Sequence, residues 1–187
     1  MQQNLAELPG LIDLAESLKT DIIMVFQAIQ PPKDGAALEL SAEEQLHLMK
    51  VIAEKQKTSR ALIIPVCCPE YWPYLITQKH MNIGKGIQKA ALTGCGAGNG
   101  FSYIRFDGDV WPCNFIPISA GNVRNTPFQD IWRNAPLLQE YRVQPRQTKG
   151  ICTDCQHLEI CGGCRGRALA RTGDPHEADP NCLFFRE

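Results

Sequence analysis

The sequence predicts an α/β fold in two unlike parts: a short parallel alternation of helices and strands, then a small cysteine-rich region with a β-hairpin and short helices. Three observations predict it. Apolar runs at 21–27 and 61–66 alternate with stretches of helical periodicity. Seven of the nine cysteines lie between Cys95 and Cys182, and none precedes Cys67. An Asp-Gly pair separates two short β-prone runs, SYIRF and DVWPC.

Taken in order, Pro9 suits the opening turn of a helix through LIDLAESL, with Leu11, Ile12, Leu14 and Leu18 as its apolar face. The run DIIMVFQ at 21–27 fits a strand buried on both faces, as in parallel sheets covered by helices. Pro31-Pro32 and Asp34-Gly35 break the chain. Ser41 with Glu44 three positions on forms a capping-box pattern, and Leu46, Leu48, Met49, Ile52 and Ala53 supply the buried stripe of the helix it opens. A second apolar strand, ALIIPV, ends at Cys67. Two parallel strands leave sheet edges that need cover, so this segment reads as the last part of a larger α/β domain or as one that docks on another chain.

In the second part, the glycines of 94–100 lack the spacing and flanking elements of a dinucleotide loop. They allow the backbone to come close to whatever Cys95 ligates. The Asp107-Gly108 hairpin delivers Cys113 at its end. Thr126 as a cap, Pro127 in the first turn and Gln129 predict a helix through FQDIWRNAPLLQEYR, interrupted near Pro136.

Composition removes several classes of function. The 187 residues are 44% hydrophobic and 21% charged, which rules out long disorder. With 19 Lys+Arg against 20 Asp+Glu, the chain offers no strong pull on nucleic-acid phosphates. No stretch approaches the ~20 apolar residues that span a bilayer, and the first residues do not resemble an export signal, so a cytoplasmic location is expected. An odd cysteine count in a reducing compartment argues against a disulfide framework and for metal chemistry.

The cysteine run carries that chemistry. Cys152, Cys155, Cys161 and Cys164 fall within C-T-D-C-Q-H-L-E-I-C-G-G-C, and Cys182 follows. C-x2-C steps let two thiolates face one centre, and soft thiolates select zinc, copper(I) or iron-sulfur clusters. Seven thiolates are three too many for one structural zinc and one too few for two, unless His157 or His176 joins. One cubane with four thiolates and another with three fits the count better. Arg142, Arg146, Lys149, Arg165, Arg167 and Arg171 offset the negative charge of such clusters, or else form a solvated basic face.

Gly94-Cys95, Gly108, the G-D-V-W-P-C ending at Cys113, the compact four-cysteine run and the distant Cys182 resemble the SPASM domain, the auxiliary-cluster extension of radical SAM enzymes. That family's pattern is C-x9-15-G-x4-C, then C-x2-C-x5-C-x3-C, then a last C; here two residues rather than three separate Cys161 from Cys164. C-G-G-C-R-G-R-A, T-G-D and D-P-N-C look most like the radical SAM proteins of heme and heme d1 biosynthesis. IMVFQ, the Ser41 helix and E-Y-W-P-Y-L resemble the tail of the barrel in that group.

The resemblance implies a division into 1–80, the carboxyl-terminal part of a radical SAM (β/α) barrel, and 81–187, a SPASM domain. It implies one or two [4Fe-4S] clusters, with Cys152, Cys155, Cys161 and Cys182 holding one and Cys95, Cys113 and Cys164 a second that keeps an open iron. The implied function is tetrapyrrole or peptide modification, with the clusters moving electrons or binding substrate. The implied partners are a chain supplying the radical SAM core and an electron donor or acceptor protein. The C-x3-C-x2-C loop of the SAM-cleaving cluster is absent, so S-adenosylmethionine chemistry is expected only in a complete or complemented enzyme. Two alternatives from other classes are a stand-alone iron-sulfur carrier or scaffold and a zinc-stabilised interaction module.

The remaining candidates read as follows. Cys67 and Cys68 read as buried small hydrophobes at a strand end. Tyr71, Trp72 and Tyr74 pack between the two parts or wall a flat ligand. Tyr103 and Arg105 alternate on the first hairpin strand, facing a cluster or solvent. His80, His157 and His176 read as surface or hydrogen-bonded residues, with ligation of an open iron as the alternative. Asp130 and Trp132 read as structural support.

Overall fold

Local sequence signals and long-range packing can be separated in the computed structural model, which describes residues 2–29, 38–78, 94–143 and 146–184. A 3-10 turn (Gln2–Glu7) leads into α1 (Leu8–Ser17), with Pro9 in its first turn as expected. The apolar face is narrower than the periodicity suggests. Leu8 and Ile12 are buried, whereas Leu11, Leu14 and Leu18 face outward.

Strand β1 (Ile22–Phe26) pairs in parallel with β2 (Leu62–Val66), in a register running from Ile22 opposite Leu62 to Phe26 opposite Val66. Between them α2 (Ala42–Gln56) makes the crossover, and its start is the predicted capping box. Glu44 N donates to Ser41 Oγ at 3.2 Å, and Ser41 N donates to Glu44 Oε2 at 2.8 Å. Ser41→Ala is expected to lower stability by about 1 kcal/mol, measured by denaturant unfolding.

The expectation of a strand covered on both faces fails for β1: Ile22, Met24 and Phe26 are 55%, 55% and 60% exposed. A sheet face is buried only by a second layer, and among the described residues nothing covers that side. The two-stranded parallel sheet is what the structure shows.

After β2, the short helix α3 (Tyr71–Thr77) buries Tyr71, Trp72 and Tyr74. They join Ile12, Leu48, Met49, Ile52 and Ile63 in the first core. These rings are core packing, with Tyr71 and Trp72 edge to face at 5.4 Å. Leu183 and Phe184, from the far end of the sequence, pack against the same core.

The predicted hairpin is β3 (Tyr103–Ile104) against β4 (Asp109–Trp111). Gly108 at φ +88 makes its turn, where Asp107 Oδ1 accepts from Asp109 N. A third strand not expected from the sequence, β5 (Gly121–Asn122), adds to β4. The expected helix through 128–142 is two, α4 (Phe128–Asn134) and α5 (Pro136–Glu140), separated by an extended Ala135. Proline forces that break by excluding the helical conformation from the residue before it. Thr126 is not the cap; Pro127 occupies that position without a side-chain bond.

The last helix is α6 (Arg165–Thr172), ended by Gly173 in the left-handed region at φ +82. No described helix is long and apolar enough to cross a membrane.

Candidate iron-sulfur site

Four of the candidate cysteines surround one cavity. Cys152, Cys155, Cys161 and Cys182 line it together with Glu70, His157, Asp179 and Phe184, and its volume is about 320 Å³ with the opening to solvent included. Short turns deliver them: a 3-10 turn (Gly150–Cys152) carries Cys152, and the loop before α6 carries Cys155 and Cys161. A bond from Cys182 N to Asp179 O at 3.0 Å holds the returning chain.

A recurring local arrangement aims these sulfurs. His157 N donates to Cys155 Sγ and Gly163 N to Cys161 Sγ, each at 3.4 Å. The backbones of Phe184, Ala97 and Phe115 likewise favour the thiolates of Cys182, Cys95 and Cys113, against the burial that raises them. For Cys155 and Cys161 the donor is the amide two residues on, so the sequence builds it locally. Amide donors of this kind stabilise thiolates and tune the potential of iron-sulfur centres.

The other three cysteines form a second group. Cys113 and Cys95 take part in a small core with Ile116, Ala97 and Tyr141. Cys164 lies close enough for Cys95 and Cys113 to feel its charge. Burial pushes the Cys113 thiol up to about 12 and that of Cys182 to about 11, and it raises Cys161 further. Burial thus favours the neutral thiols of Cys113, Cys161 and Cys182, and metal ligation expels their protons. Among the described residues no three His, Cys, Asp or Glu side chains are grouped to hold a single ion.

The short Cys161–Cys164 step works because both residues between are glycine. Gly162 and Gly163 each sit at φ +65, and a Cβ on Gly163 would come within 2.7 Å of Asp179 Cβ. Gly163→Ala is expected to cost about 1–3 kcal/mol in backbone strain alone and to lower the iron retained at the first cavity. Thermal unfolding and iron content together check it. Gly94 is likewise required by close approach, since a Cβ there would lie 2.2 Å from the Cys161 carbonyl oxygen, which also accepts from Cys95 N at 3.3 Å. This contact joins the two thiol groups.

The basic residues divide. Arg146, Arg165 and Arg167 are buried, whereas Arg171 and Lys149 are exposed and pair with Glu39 at 3.2 Å and Asp174 at 2.5 Å. Arg146 lies against Gly162 and feels the charges of Cys95 and Cys161. Arg167, 1% exposed, bonds Asp179 at 2.8 and 3.0 Å, Gln27 Oε1 at 3.0 Å and the Cys67 carbonyl at 2.5 Å, with Glu70 at 3.5 Å. Asp179 in turn accepts from Cys164 N at 2.6 Å. Burial and the Asp179 charge push Glu70 well above the usual carboxylate range, while Arg167 holds Asp179 below it against its own burial. This knot was missed by sequence reasoning, and no spacing rule could have found it.

Of the histidines, His157 lines the first cavity with its ring 4.9 Å from Phe184. His176 bonds Glu140 at 2.8 Å, and His80 lies outside the described residues. Tyr103 and Arg105 are on the surface of the hairpin, with the Arg105 guanidinium 4.9 Å above Trp111. Asp130 is exposed, and Trp132 stacks under Arg142 at 4.2 Å.

Residues 95–156 match the SPASM family, an iron-sulfur cluster-binding domain. The chain is 32% identical to an AdoMet-dependent heme synthase of Methanosarcina barkeri, over 98% of this chain and 54% of that protein. A pre-heme d1 synthase of Dinoroseobacter shibae is 42% identical over 50% of this chain and 24% of that protein. A PqqA peptide cyclase of Methylobacterium is 29% identical over 96% of this chain and 46% of that protein. The chain spans about half the length of the heme synthase it matches. The chain thus carries a match to the SPASM iron-sulfur cluster-binding domain over residues 95–156, and it is similar along most of its length to AdoMet-dependent heme synthases.

Proposed function

We propose that this chain is the auxiliary-cluster portion of a radical SAM enzyme that modifies a tetrapyrrole. Cys152, Cys155, Cys161 and Cys182 hold one [4Fe-4S] cluster, and Cys95, Cys113 and Cys164 contribute to a second. The observation that carries the reading is the convergence of the first four thiols on one cavity, with amide donors on the sulfurs of Cys155 and Cys161. Heme-type relatives at 32% identity over 98% of the chain favour a tetrapyrrole over a peptide.

When bound, a cluster accepts or relays an electron from a substrate radical, or ligates substrate at an open iron. The chain's own groups set the conditions for this. Thiolates anchor, backbone amides and buried arginines offset negative charge, and the first core excludes water from one side of the cavity. In this reading residues 1–80 are the tail of a (β/α) barrel, and the bare face of β1 is where the rest of that barrel packs. Ile22, Met24 and Phe26 support this, since exposed apolar rows on a sheet mark a missing layer.

The test is complementation. With S-adenosylmethionine and a reductant, the reconstituted chain alone forms no 5′-deoxyadenosine. Combined with a polypeptide carrying a SAM-cleaving barrel and an iron-porphyrin substrate, it supports both 5′-deoxyadenosine formation and a mass change in porphyrin side chains. Turnover of S-adenosylmethionine by the chain alone, or equal porphyrin modification without it, refutes the proposal.

A further inference from the structure

The second group of thiols has a neighbour that the seven-cysteine pattern does not contain. Cys67 ends β2 with its backbone in the left-handed region at φ +63, uncommon for any residue but glycine. In that conformation its carbonyl meets Arg167 Nη2 at 2.5 Å, and Arg167 stands in the first turn of α6, directly after Cys164. Asp179 completes the clamp by binding both the Arg167 guanidinium and Cys164 N. The end of β2 is thereby fixed against the start of α6, which brings Cys67 beside Cys164, and the nearby Cys67 side chain pushes the Cys164 thiol up. Cys68, the next residue, goes the other way, into the first core beside Tyr71 and Trp72. The paired reading of Cys67 and Cys68 as buried hydrophobes therefore holds for Cys68, whereas Cys67 is only partly buried.

We propose that Cys67 is the fourth thiolate of the second cluster, joining Cys95, Cys113 and Cys164. The inference rests on the cluster reading above and changes one part of it. A cubane has four irons, and four thiolates leave none of them open. The second cluster then passes electrons and does not ligate substrate. The charge of a fourth thiolate is answered by Arg167 at the Cys67 carbonyl and by Arg146 near Cys95.

The experiment compares the intact chain with Cys67→Ala, Cys67→Ser and the control Cys68→Ala, each reconstituted anaerobically with ferrous iron and sulfide. Iron is counted, and electron paramagnetic resonance of the reduced protein is recorded with and without imidazole as a probe for an open iron. The intact chain and Cys68→Ala are expected to give spectra that imidazole does not change. Cys67→Ala either loses about half the iron, as for one of two equal clusters, or gains an imidazole-dependent shift. Cys67→Ser keeps the iron with an altered spectrum, because the serine oxygen takes the sulfur's place. Retention of the first cluster's signal in every variant shows that the chain has folded.

An intact chain whose spectrum shifts with imidazole, and a Cys67→Ala variant identical to it in iron and spectrum, would overturn the role of Cys67. If a Cys95→Ala/Cys113→Ala variant binds as much iron as the intact chain, the second cluster itself does not exist, and the failure lies in the underlying reading.

Discussion

Cys161→Ala is expected to abolish iron retention at the first cavity, lowering bound iron and sulfide by about half if both sites are filled. The position is more sensitive than its neighbours because it serves both thiol groups. Its sulfur faces the cavity and takes the Gly163 amide, while its carbonyl receives Cys95 N and abuts Gly94. Alanine preserves the backbone contacts and deletes only the ligand. The metal-free variant should therefore unfold close to the metal-free parent, and the reconstituted variant well below the reconstituted parent, since metal-binding free energy is also folding free energy. Iron content, labile sulfide and thermal unfolding of the four samples check this. Equal iron in variant and parent would remove Cys161 from the ligand set.

Arg167→Met is expected to destabilise the chain by about 3–5 kcal/mol, even before any metal is bound. The guanidinium is buried among Asp179, Glu70, Gln27 and the Cys67 carbonyl, and neither oxygen of Glu70 has a hydrogen-bond partner. Removing the cation leaves a buried carboxylate without its counter-charge, and several acceptors lose their donor. Methionine fills much of the volume, so the loss is electrostatic and not a cavity effect. The double change Arg167→Met/Asp179→Leu should recover part of the stability, because the charge left behind goes too. Chemical denaturation of parent, single and double variants measures the coupling. A single variant within about 1 kcal/mol of the parent would show that the knot is not structural.

What the sequence made legible was local. The Ser41–Glu44 capping box, the Asp107-Gly108 turn and the break before Pro136 are each decided within about four residues by hydrogen bonding or sterics, and each appears where expected. The gathering of Cys152, Cys155 and Cys161 around one cavity is nearly as local, because short turns carry all three and the amide two residues on meets the sulfurs of Cys155 and Cys161.

Long-range features were not legible. Arg167 reads as one charge in a basic run, and its burial follows from partners as far away as Gln27, 140 residues earlier. The same holds for Cys67, whose neighbour Cys164 is brought in by the fold and not by spacing. Strand β5 has two residues and no periodicity to detect. The exposure of Ile22, Met24 and Phe26 depends on what lies over β1, which a run of apolar residues cannot report.

The most direct measurement is elemental. The full chain, reconstituted anaerobically and desalted, is analysed for iron, acid-labile sulfide and zinc, with free thiols counted in the metal-free sample. The expected result is iron and sulfide in equal amounts, about four or eight of each per chain, no firmly held zinc, and all nine thiols reactive once the protein is unfolded. One tightly bound zinc without sulfide, or cysteines joined as disulfides, would contradict the account.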